Sequence, residues 1–114
     1  MSSARPKQRA VLRDRASLFA ALGDETRLAL VGKLSSGPPQ SISRLAEGTP
    51  LSRQAITRHL RVLENVGVVR QERVGRESRY AFRPEPLKEV RSYLDYVSSQ
   101  WDNALARLKS FVED

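Results

Sequence analysis

The chain has 114 residues, 39% of them hydrophobic, and 20 Lys and Arg against 13 Asp and Glu give a formal net charge of +7. That length suits one modest core, and the charge excess favours a polyanionic partner, nucleic acid before acidic lipid, over mere solubility. The absence of cysteine and the single histidine exclude disulfides, thiolate nucleophiles and soft-metal sites, so neither an enzyme, nor a cofactor, nor a metal is expected.

Residues 1–10, "MSSARPKQRA", are polar and basic and predict a flexible arm, with residues 11–114 forming one domain. The arm lacks the apolar stretch of a secretory signal, and no run reaches the ~18 apolar residues of a membrane span. The expectation is a soluble cytoplasmic protein. Val11, Leu12, Ala16, Phe19 and Leu22 recur at helical spacing up to Gly23. Asp24 then caps a second helix, with Leu28, Val31 and Leu34 on its buried face and "SSGPP" at its end. Ser41 caps a short third helix carrying Ile42, Leu45 and Ala46. After "EGTP", Ser52 opens a fourth, with Ile56, Leu60 and Leu63 as an inner stripe and Gly67 as its stop. Two helices joined by a tight turn containing Gly48 make a helix-turn-helix over about residues 41–67.

Val69 to Val74 and Ser78 to Arg83 read as a hairpin around Gly75, Arg76 and Glu77, a wing over about 68–83. Its arginines fall at 70, 73, 76, 79 and 83, while Tyr80 and Phe82 are expected to face the core. Pro84 and Pro86 end the sheet. The remainder, about 86–113, is one amphipathic helix with Leu87, Val90, Leu94, Val97, Trp101, Ala104, Leu108 and Val112 at steps of mostly three and four. At about 1.5 Å per residue it is roughly 40 Å long, more than this core can cover alone. A homodimer is therefore expected, with Phe19, Leu94, Val97, Trp101 and Leu108 in the interface. Tyr93, Tyr96 and Trp101 are either plain interface core or the lining of a pocket for an organic effector. The fold class is mainly α with a small β-hairpin wing: a winged helix-turn-helix dimerising through its N- and C-terminal helices.

The stretch "LSRQAITRHLRVLENVGVV" carries the chemistry. Arg53, Gln54, Thr57, Arg58 and Arg61 turn largely away from the inner stripe, with no acid until Glu64. Arg matches guanine O6 and N7, Gln matches adenine N6 and N7, and Thr offers a hydroxyl and a methyl. The amides near Ser52 suit a phosphate. An ordinary solvated helix face is the alternative; the adjacent basic hairpin weighs against it. His59, in mid-helix between Arg58 and Leu60, reads as a structural hydrogen bonder.

Three motifs, "ALGDETRLALV", "LSRQAITRHLRVLENVGVV" and "RVGRESRYAF", resemble in their order the ArsR/SmtB family of bacterial winged-helix repressors over roughly residues 16–85. The resemblance implies a homodimeric repressor that binds a palindromic operator in double-stranded DNA and is released by a signal. It carries helix contacts onto Ser52, Arg53, Gln54, Thr57 and Arg58, and wing contacts onto Arg76 and Arg79; Arg61 joins them from the helix reading. Metal-sensing members use a Cys-x-Cys in the third helix, where this chain has "SISRLAEG", and Asp and His in the last helix, where it has Asp95 and Asp102 without a histidine. The "WDNALARLKSFVED" segment is similar to a subgroup without metal ligands. The implied partners are operator DNA, a second copy and an unidentified small-molecule or protein effector, with no membrane. The rival readings are a basic module docking on an acidic protein, non-specific DNA binding, and an enzyme working through His59.

Overall fold

The computed structural model describes residues 5–113. In chain order the elements are α1 (Pro6–Leu22), α2 (Glu25–Ser35), β1 (Gln40–Ser41), α3 (Ile42–Ala46), α4 (Arg53–Asn65), β2 (Val69–Val74), β3 (Glu77–Phe82) and α5 (Glu85–Glu113).

The side-chain caps fall where the sequence puts them. Asp24 Oδ2 accepts from the Arg27 amide at 3.0 Å, Ser41 Oγ from Arg44 at 3.2 Å and Ser52 Oγ from Ala55 at 3.1 Å. Each satisfies a first-turn donor that the helix itself leaves free. The end of α4 is a Schellman turn. Gly67, at φ +81°, donates to Glu64 O at 3.0 Å, and Val68 donates to Leu63 O at 3.1 Å. Val68 and Leu63 are both buried there, so the turn also delivers the chain into the sheet.

Leu30 and Leu34 of α2, Leu45 of α3, Ile56, Leu60 and Leu63 of α4, and Val68, Val69 and Tyr80 make one core, with Leu18 of α1 and Val90 of α5 at its edge. Tyr80 is buried and Phe82 packs partly buried against the same cluster, as expected.

Four details depart from the expectations or add to them. The first helix starts at Pro6, not at Val11, so residues 6–10 are not a flexible arm. Pro6 is preset for a first helical turn, and the Arg5 amide donates to Gln8 Oε1 at 3.0 Å. Residues 1–4, the rest of that arm, lie outside the described residues. Second, the core side of α1 is Leu18 and Ala21, while Val11, Leu12 and Phe19 are exposed. Third, Leu30 rather than Leu28 lies under α2; Leu28 is 56% exposed. Both helices are apolar on more than one side, so periodicity alone does not choose the inner one.

Fourth, the sheet has three strands, in the order β1-β3-β2. The two-residue β1 pairs antiparallel with β3, Gln40 opposite Tyr80 and Ser41 opposite Arg79. Ser41 is thus both the last rung of this pairing and the cap of α3. No helix among the described residues is long and apolar enough to cross a membrane.

Candidate nucleic-acid interface

The turn between α3 and α4 sets the direction of α4. Gly48 adopts φ +75°, the left-handed region that favours glycine. Thr49 ties the turn down, its hydroxyl donating to Ala46 O at 2.9 Å and accepting from the Leu51 amide at 3.4 Å. With Ile56, Leu60 and Leu63 fully buried, α4 can expose only its opposite side. Ile42, Arg53, Gln54, Thr57, Arg58 and Arg61 line a shallow groove of about 600 Å³ along that side.

Within the groove the side chains differ in freedom. Gln54, Arg58 and Arg61 are exposed, and neither arginine forms an ion pair among the described residues. Arg53 instead turns toward α3, where its guanidinium donates to the Ser43 hydroxyl. Thr57 is half-buried and its hydroxyl donates back to Arg53 O at 2.8 Å. Ser52 holds the helix cap. The six sequence-predicted residues of the helix are therefore brought together, but Gln54, Arg58 and Arg61 form its free edge.

The wing divides its arginines by face. In the β2–β3 register Arg73 pairs with Ser78, Gln71 with Tyr80 and Val69 with Phe82, one face; Arg70, Glu72 and Val74 pair with Ala81, Arg79 and Glu77, the other. On that second face Arg70 meets Glu72 at 3.3 Å, and Arg79 donates from Nε and Nη2 to Glu77 Oε2 at 3.2 and 3.0 Å. Arg73 and Arg76 have no ion pair among the described residues, and Gly75 at φ +65° turns the chain between them. So Arg76 stands free at the tip, Arg79 is partnered, and Arg73 belongs with Arg76. Period-two alternation in the sequence separates these faces, and it sets each paired arginine two positions from a carboxylate of its own strand.

The dimer candidates cluster on a second surface. On α5 only Val90 is buried; Leu94, Val97, Trp101 and Leu108 are exposed in the protomer. Phe19 reaches α5 edge-on to Tyr93, ring centroids 6.5 Å apart, and the Arg15 guanidinium lies 5.0 Å from the same ring. No group of three or more His, Asp or Glu that could hold a metal occurs among the described residues.

Comparison with known proteins agrees with this geometry. A family model described as a helix-turn-helix domain matches residues 22–72. The HTH-type transcriptional regulator Rv2034 of Mycobacterium tuberculosis is 34% identical over 95 residues, covering 83% of this chain and 85% of that protein. An ArsR-like transcriptional regulator from Rhodococcus sp. RHA1 superposes with a TM-score of 0.78 at 39% identity, covering 90% of this chain and 95% of that one. The chain belongs to the ArsR family of transcriptional regulators. A homodimeric winged helix-turn-helix DNA-binding domain from Mycobacterium bovis shares the fold of this ArsR-family chain at 21% identity, with a TM-score of 0.68 over 88% of this chain and 92% of that one. As an ArsR-family member the protein is a DNA-binding transcriptional regulator.

Proposed function

We propose that the protein is a homodimeric repressor that reads an inverted-repeat operator. One α4 from each protomer enters successive major grooves about 34–36 Å apart, and the wings flank them. The observation that carries this reading is the acid-free edge of Gln54, Arg58 and Arg61, in which neither guanidinium forms an ion pair among the described residues, beside Arg73 and Arg76 of the wing, which form none there either. Arg58 and Gln54 supply base contacts; Arg61, Arg73 and Arg76 supply phosphate contacts and most of the salt dependence. The uncovered apolar side of α5 supports a second copy, and the M. bovis relative is itself homodimeric. An unidentified small-molecule or protein signal would release it. With operator DNA as its partner, the protein works in the cytoplasm, without a cofactor and without catalysis.

The test is fluorescence anisotropy with duplexes from the gene's own upstream region and scrambled controls, at two salt concentrations. A preference of about a thousandfold establishes operator recognition. Equal, steeply salt-dependent binding to both would make the basic surface a non-specific DNA binder. No binding at low salt would turn the basic face toward an acidic protein partner. A promoter fusion that gains expression when the gene is deleted distinguishes repression from activation.

A further inference from the structure

Where α1, α2 and α4 meet, one side chain joins all three. Arg27 of α2 donates from Nε to Ala21 O at 2.6 Å and from Nη2 to Ala20 O at 3.5 Å, both at the C-terminal end of α1. Its Nη1 lies 3.2 Å from Nδ1 of His59 on α4. α1 has no basic residue in its own last turn, so this guanidinium supplies the positive group that the carbonyl end of a helix favours. A guanidinium can only donate, so His59 Nδ1 is the acceptor, and the ring is neutral with its proton on Nε2. Asp24 Oδ2 stands 3.8 Å from the same nitrogen and accepts the Arg27 amide. Among the described residues Arg27 and Asp24, both from the start of α2, are the two groups that bond or pair with the ring.

We propose that Arg27 is a positioning residue for DNA reading: through His59 it fixes the rotation of α4 against the end of α1, holding the reading edge in register with the helices of the dimer. This rests on the operator reading above and names what keeps that site aligned. Arg27 and His59 sit beside the groove and are not among the residues lining it. Lysine cannot replace the fork, since one ammonium does not span two α1 carbonyls and an imidazole nitrogen.

The experiment uses full-length protein, a duplex selected from random sequence by the wild type, and a scrambled duplex. Arg27→Lys and His59→Ala are each expected to lower the selected-to-scrambled affinity ratio about tenfold or more, the scale of a lost hydrogen bond to a charged group, with scrambled binding nearly unchanged. The double variant should be no worse than either single one, because both remove the same link. His59→Asn, whose Oδ1 can accept the Arg27 bond in place of Nδ1, should keep the ratio. Nitrogen NMR of the DNA-free protein should show the Nε2–H form of His59, and a mixture of both forms in Arg27→Lys. Circular dichroism at the assay temperature confirms that each variant is folded. An unchanged ratio in Arg27→Lys, equal damage by Asn and Ala at position 59, or an Nδ1–H ring would overturn the proposal. If the wild type itself fails to discriminate, the operator reading fails and takes this inference with it; if the wild type discriminates and Arg27→Lys does too, only the positioning role is lost.

Discussion

Replacing Trp101 by alanine should break the proposed dimer, and the size of the effect follows from its exposure. Trp101 is 64% exposed in the protomer. A tryptophan offers up to about 250 Å², so about 160 Å² is available for a partner. At about 25 cal/mol per Å² this is worth about 4 kcal/mol. An alanine retains about a quarter of it, and fixing the indole takes back about 1 kcal/mol, leaving about 2 kcal/mol per protomer. A two-fold symmetric dimer loses it twice, so Kd should rise about a thousandfold. Sedimentation equilibrium of wild type and Trp101→Ala measures this directly. A second readout comes free, because Trp101 is the only tryptophan in the chain. Wild-type emission should move to the red on dilution as the indole becomes wet. A Trp101→Ala dimer within about threefold of wild type, or emission that ignores dilution, would refute the placement of α5 against its copy.

Other predictions follow from the interface and its supports. Arg58→Ala should cost about 1–3 kcal/mol of operator affinity and relax the preference at one base pair, read by anisotropy on single-base operator variants. Arg76→Ala should weaken binding to every duplex and reduce the salt slope by about 1, whereas Arg79→Ala should do less, since Glu77 holds that guanidinium at 3.0 Å. Gly67→Ala should lose about 1–2 kcal/mol in urea unfolding, because φ is +81° there; the new Cβ would meet Pro86 Cγ at an ordinary 3.5 Å, so strain rather than collision sets the cost. The Asp24 carboxyl lies below its ordinary value of 3.8, chiefly because the Arg27 amide bonds it and then through the charge of Arg27, against desolvation. A depressed carboxyl stabilises the fold fully above its unfolded value and loses that contribution as pH falls through the native one. Acid titration of urea unfolding should therefore show a loss below about pH 4 that Asp24→Asn, which keeps the capping oxygen, lacks.

The sequence made α2, α3 and α4 legible because each is announced locally by a capping Asp or Ser, apolar spacing and a glycine close behind, while α5 shows in its apolar period and the wing in its turn glycine. The site residues of α4 followed from the same period, since burying Ile56, Leu60 and Leu63 leaves one direction for Gln54, Arg58 and Arg61. What escaped depends on neighbours distant in the chain. β1 is two residues long and exists only because β3 offers it an edge. Arg53 turns to Ser43 because α3 lies alongside. The role of Arg27 required 32 positions of chain to close before His59 came within reach. Polar contacts of this kind leave no period in the sequence.

Ser41 couples two parts that would otherwise move separately. Because the same residue pairs with Arg79 and caps α3, the wing cannot swing without fraying the first turn of the helix-turn-helix. On the proposed docking, helix and wing would meet DNA as one stiff template whose span is settled during folding. Adaptation then falls to the duplex, and operators that bend readily to the template will bind more tightly than stiff ones bearing the same contacted bases.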